Sequence, residues 1–152
     1  MLKRIGLFIL FLLLWFLGSF IPIDYSYYKE LTLPGFAPPS WFYGVAWTIN
    51  YILLSISMSS IFSEYKYKDI PKSYKLSLII NYIFNQSFII VFFIIKNNFL
   101  GFVSCLGTFI SSLFLYEESK DLNKKSTQGL KLYVLFNIFA TILSLSIYLL
   151  NL

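Results

Sequence analysis

With 58% hydrophobic and only 12% charged residues, this chain of 152 residues has too little charge to cover a water-facing surface, because soluble domains carry about a quarter charged residues. Its length fits one domain, and its mean hydropathy of +0.73 makes that domain a polytopic membrane protein. Histidine is absent, which removes the commonest metal ligand and general base and the usual axial ligand of haem, so no metal or cofactor requirement is expected.

After a short basic start at Lys3 and Arg4, residues 5–23 carry no charge. A helix over them, rising about 1.5 Å per residue, is long enough for hydrocarbon about 30 Å thick. The stretch is long for the apolar part of a signal peptide and no small-x-small site follows it, so a retained first span is expected. Residues 24–40 form a loop rich in aromatic residues, which Pro34, Pro38 and Pro39 prevent from being one continuous helix. Spans are then expected at 41–62, 76–95, 99–116 and 132–150. The connections at 64–75, which contains Pro71, and at 117–131 are polar, and Lys96, Asn97 and Asn98 form a tight hinge between antiparallel neighbours. The uncharged runs are too long and too little alternating for a membrane barrel, so the fold class is all-α, a five-helix transmembrane bundle in a single domain.

The net charge of +5 is carried in the short segments between apolar runs, where it sets topology and gives no reason to expect nucleic acid as a partner. With five spans, Lys3, Arg4, Lys66, Lys68, Lys72, Lys75, Lys120, Lys124, Lys125 and Lys131 fall on one side of the bilayer, ten against the two of Lys29 and Lys96. That asymmetry predicts a cytoplasmic N-terminus and an outward-facing 24–40 loop.

No acid, base or cation lies within the spans, which argues against a proton or ion pathway. Asn81, Asn85, Phe88 and Phe92 share one face of the third span, and an Asn facing lipid is costly, so this face points into the bundle. Asn85 there is either an interhelical hydrogen-bonding residue or a polar anchor in an aromatic pocket. Trp47 and Tyr51 lie one turn apart in the second span, with Asn50 beside them. Trp47 sits too deep for the interfacial aromatic belt, whereas Trp41 fits it. In the fifth span Tyr133, Phe136, Ala140 and Ser144 follow one face, with Asn137 and Thr141 on the adjoining one. The bulky level there gives way to small residues that either pack closely or leave room for a ligand. The fourth span carries Gly101, Ser104, Cys105, Gly107, Thr108, Ser111 and Ser112, a close-packing surface inside the bundle or between protomers. Aromatic stacking and amide hydrogen bonding are the chemistry on offer, which suits a large, flat, mostly apolar ligand.

The stretch YYKELTLPGFAPPSWFYGVAWTINY, residues 27–51, resembles the WYxxLxKPxWxPPxWxFGxVWxxLY hallmark of the TspO/MBR family of tryptophan-rich sensory and translocator proteins. NQSFIIVFF, from Asn85, looks like the NxxWSPxFF of that family, and YVLFNIFATILSLSIYLLN, from Tyr133, looks like its PYLxWxxFAxxLNxxxWxLN. The resemblance implies a five-helix bundle, usually dimeric, whose first loop caps a pocket between the helices. It also implies binding of porphyrins such as protoporphyrin IX, or of sterol and isoquinoline ligands. Carried over by position, Trp47, Tyr51, Asn85, Phe88, Phe136 and Ala140 would line the pocket, and Tyr27, Phe36 and Pro39 would form the lid. Tyr27, Phe36, Phe88 and Phe136 stand where the pattern has tryptophan, Ser144 stands for an Asn, and Leu149 for a frequent basic residue. Trp47 is therefore expected to be the one pocket indole. That favours binding over the light- and oxygen-dependent porphyrin degradation reported for some bacterial members. A third reading is a ligand-free structural or regulatory partner that works through the small face of the fourth span.

Overall fold

A computed structural model describes residues 2–152. Six α-helices occur among them: α1 (Leu2–Trp15), the short α2 (Ser26–Glu30), α3 (Ser40–Glu64), α4 (Lys72–Phe88), α5 (Asn98–Ser119) and α6 (Lys124–Leu150). A 3-10 turn (Leu17–Phe20) follows α1, a second (Tyr67–Asp69) joins α3 to α4, and α4 runs on as a π-helical segment (Ile89–Ile94). No strand is present among the described residues. Four helices are long and apolar enough to cross a membrane: α3, α4 with its π segment, α5 and α6.

The expected first span over 5–23 is corrected. Its helix stops at Trp15 and gives way to the 3-10 turn. Pro22 ends the helical stretch by Phe20, since its ring would collide with the carbonyl of Gly18 in a continuing helix. Ile21, the residue before it, is extended at φ −73° and ψ 123°. The Gln86 side chain substitutes for the lost helical bonding: its Nε2 donates to the Trp15 carbonyl at 3.0 Å and its Oε1 accepts from the Gly18 amide at 2.9 Å. A Cβ at Gly18 would lie 2.5 Å from Gln86 Oε1 and 2.8 Å from Ile89 Cδ1, so any larger residue there has to push both side-chain ends aside and disturb the Gln86 bonds. At 14 residues α1 spans about 21 Å, short of a full crossing on its own.

The other helices reach further than the apolar runs predict. α6 begins at Lys124, so much of the 117–131 connection is helical, and α4 begins at Lys72. Charge ends a hydrocarbon span, but it does not end a helix. Caps do that here: Asn123 Oδ1 accepts from the Ser126 amide and Asn97 Oδ1 from the Leu100 amide, each at 2.9 Å.

α3 packs between α1 and α6, and α5 between α4 and α6. Arg4 donates to Ser60 Oγ at 2.7 Å, which fixes α1 and α3 as antiparallel. Small residues bring α3 and α6 together at this end, where the buried Ser57 and Ser126 hydroxyls share a hydrogen bond. Leu54, Ile61, Tyr74, Leu115 and Leu130 fill the core beside them. The small face of α5, left undecided by the sequence, is spent inside the bundle. Ser104, Cys105, Thr108, Ser111 and Ser112 are buried, and Gly101 seats the Phe92 ring, 2.7 Å from where a Cβ would stand.

Candidate functional site

A cavity of about 500 Å³ lies between α3, α4 and α6 at their ends nearest the 24–40 loop, below the lid. Trp47, Tyr51, Asn85, Phe88, Phe136 and Ala140 all line it. The rings meet edge to face or tilted: Trp47 is 5.2 Å from Phe136 and 5.8 Å from Tyr51 between centroids. The π segment is the feature that sequence periodicity missed. An extra residue in one turn lets the consecutive Phe92 and Phe93 both reach the cavity, with Phe88 stacked on Phe92 at 5.1 Å.

Tyr27, Phe36 and Pro39 are not in the cavity wall. Tyr27 docks the lid on the α4–α5 hinge, its hydroxyl donating to Asn98 Oδ1 at 2.7 Å with the Lys96 carbonyl at 3.0 Å. Phe36 is half exposed and rests edge-on against Phe139, itself a lining residue. Pro39 is the exposed N-cap of α3 and sets where that helix starts. The lid residues that do face the cavity are Tyr25 and Tyr28, and the Tyr28 hydroxyl donates to that of Tyr43 on α3 at 3.0 Å. α2 was not foreseen. It starts beside Asp24, whose carboxylate takes the Ser26 amide at 2.9 Å and hydroxyl at 2.6 Å. Those two bonds hold the Asp24 carboxyl below its ordinary pKa of 3.8. This contribution to lid order is therefore present above that pH and is lost as the pH falls through the lowered value.

At the other end of the lid, Asn151 accepts from the Thr32 amide at 2.8 Å and donates to its carbonyl at 2.9 Å. No motif marks Asn151 as a lid residue, because the contact joins opposite ends of the chain.

Beneath the cavity runs a buried hydrogen-bond chain through four helices. Tyr51 donates to Asn85 Oδ1 at 3.1 Å, Asn85 Nδ2 donates to the Tyr133 hydroxyl at 3.3 Å, and Tyr133 donates to Asn81 Oδ1 at 3.0 Å. Asn81 Nδ2 then donates to the Thr108 carbonyl at 3.0 Å and to Ser111 Oγ at 2.9 Å. Of the two roles open to Asn85, interhelical bonding is thus occupied; one amide hydrogen and one carbonyl lone pair remain for a ligand. Asn137 Nδ2, also buried, has no partner.

Trp41 and Trp15 change the count of useful indoles. Trp41, assigned to the interfacial belt by its position, lines the cavity mouth while 67% exposed, so Trp47 is not alone. Trp15, given no role by sequence reasoning, is buried behind the wall, with its indole stacked on Tyr51 at 5.9 Å and its N–H donating to Met58 Sδ at 3.3 Å. Its signal was its depth in an apolar run, where an indole N–H has to find a partner.

A sequence model of the TspO/MBR family matches residues 7–150. The chain is 38% identical over 130 residues to a tryptophan-rich protein TspO of Bacillus cereus, covering 86% of this chain and 84% of that one. It is 31% identical over 135 residues to the uncharacterized membrane protein YtaB of Bacillus subtilis, covering 89% and 86%. A tryptophan-rich protein TspO of Archaeoglobus fulgidus is 27% identical over 158 residues, covering 99% and 97%. The match runs through the lid, the π segment and every wall of the cavity, and on it this chain belongs to the TspO/MBR family.

Proposed function

We propose that this protein is an integral membrane receptor for a flat, largely apolar ring system of the tetrapyrrole class, protoporphyrin IX being the ligand to try first. The carrying observation is the cavity: its volume of about 500 Å³ falls within the usual range for small-molecule sites, and its walls are mostly aromatic and aliphatic, with a few hydroxyls and one amide, Asn85, at the base. Trp47 and Phe136 present ring faces and edges to such a ligand, and the spare Asn85 amide hydrogen or lone pair offers one hydrogen bond. No axial metal ligand enters this reading. α1 together with its 3-10 turn serves as the fifth crossing, the N-terminus is cytoplasmic by the lysine and arginine distribution, and the lid faces outward. A homodimer would have to form on lipid-facing aliphatic surfaces, because the small face of α5 is occupied. The same fact counts against a ligand-free partner protein acting through that face.

Titration of protoporphyrin IX into the purified protein should give saturable tryptophan quenching, and Trp47→Ala should weaken binding by about 2 kcal/mol, roughly 30-fold. Wild-type protein that shows no saturable quenching would refute the reading.

Two indoles at the cavity instead of one give the light-dependent reading a specific footing. On that reading the Soret band of bound porphyrin bleaches in light and air faster than that of free porphyrin, and more slowly in Trp41→Phe and Trp47→Phe. Equal rates in bound and free porphyrin leave a binding protein only.

A further inference from the structure

We infer that the cavity takes its ligand sideways from the bilayer, through a slot between the 3-10 turn after α1 and the first turns of α3, while the lid stays shut. This rests on the binding role proposed above.

Two of the three fastenings of the lid lie away from the slot. Tyr27 holds it to the α4–α5 hinge and Asn151 holds it to the end of α6 through a pair of hydrogen bonds. Lifting it breaks these together with the Tyr28–Tyr43 bond to α3.

The slot needs no such rupture. Ser40, Gly44 and Thr48 follow one another at helical spacing on α3, and all three line the cavity and are exposed. A wall residue that is also exposed marks an opening. At Gly44 a Cβ would meet nothing within 4 Å. Ser19, across the slot, likewise lines the cavity and is exposed. The gap has a cause in the sequence: Gly18 and Gln86 draw the turn onto α4, so the chain past Trp15 does not cover this face of α3. Thr48 returns its hydroxyl to the Gly44 carbonyl at 2.8 Å, which spends the donor at the deep end of the slot.

Depth decides which medium meets the slot. Thr48 lies eight residues beyond Ser40, about 12 Å further along the helix axis. Trp41 stands at the level where tryptophan marks the membrane interface, so the lower slot opens onto hydrocarbon. An apolar ring system concentrated in the bilayer reaches it without passing through water.

The test is rapid mixing of proteoliposomes with protoporphyrin IX, followed by porphyrin fluorescence. Ser19→Phe and Thr48→Phe obstruct the two edges of the slot independently, and Asn151→Ala releases the lid. Association and dissociation should both slow at least 10-fold in each slot variant, while Asn151→Ala associates within about 2-fold of wild type. Association that is 10-fold faster in Asn151→Ala, with slot variants binding at the wild-type rate, overturns lateral access. Because wild-type saturation is read in the same experiment, its loss removes the binding role itself, whereas intact saturation with unchanged slot variants removes only the slot.

Discussion

Trp15→Ala is expected to lower stability by about 3 kcal/mol, at the lower end of the range for deleting a buried indole. In a membrane the unfolded helix is already solvated by apolar tails, so little of the loss comes from transfer. It comes from the cavity left among Tyr51, Met58 and Tyr82, all of which touch or stack on the ring, and from the orphaned sulfur contact. Tyr51 also lines the ligand cavity, so affinity should fall alongside stability although Trp15 is not in the wall. Trp15→Phe retains a ring for Tyr51 to stack on and should recover most of both. Reversible unfolding in mixed detergent micelles measures the first effect and porphyrin titration the second. A loss below about 1 kcal/mol would mean that the neighbours close over the gap.

Tyr133→Phe removes one oxygen and is expected to cost about 2 kcal/mol, the upper part of the range for interhelical hydrogen bonds in membranes. That hydroxyl both accepts from Asn85 and donates to Asn81, and it is fully buried, so its loss leaves two amides each short of a partner. The chain acts as a unit. Asn81→Leu should therefore cost much less in the Tyr133→Phe background than alone, and a double-mutant cycle in the same unfolding assay reads the difference. Strict additivity would show the two residues to be independent.

The long spans, the antiparallel hinge at 96–98 and the inward face of Asn81 and Asn85 were legible because hydropathy and helical spacing are local properties of the chain. The assignment of Trp47, Tyr51, Phe136 and Ala140 to the cavity wall came from the family resemblance, since helical spacing grouped them on faces but left close packing and a ligand both open. Three features were not legible. The early end of the first helical stretch depends on Pro22 together with a side chain from α4 that takes over its bonding. The π segment breaks the very periodicity used to assign faces, and a run of Ile, Val and Phe gives no sign of it. The lid fastening joins Thr32 to Asn151, a contact that no local pattern can announce. Tyr27, Phe36 and Pro39, expected among the ligand-binding residues, lie in the 24–40 loop outside the cavity wall.

The paired serines Ser57 and Ser126 bear on the direction of traffic. On α3 the cavity wall ends at Tyr51, and the residues beyond it are packed against α6 through side chains too small to swing aside and open a gap. The bundle in this form is a cul-de-sac. On the binding role proposed above, a ligand would depart by the side on which it arrived, and passage to the opposite leaflet would require α3 and α6 to separate along the seam of Ser57 and Ser126.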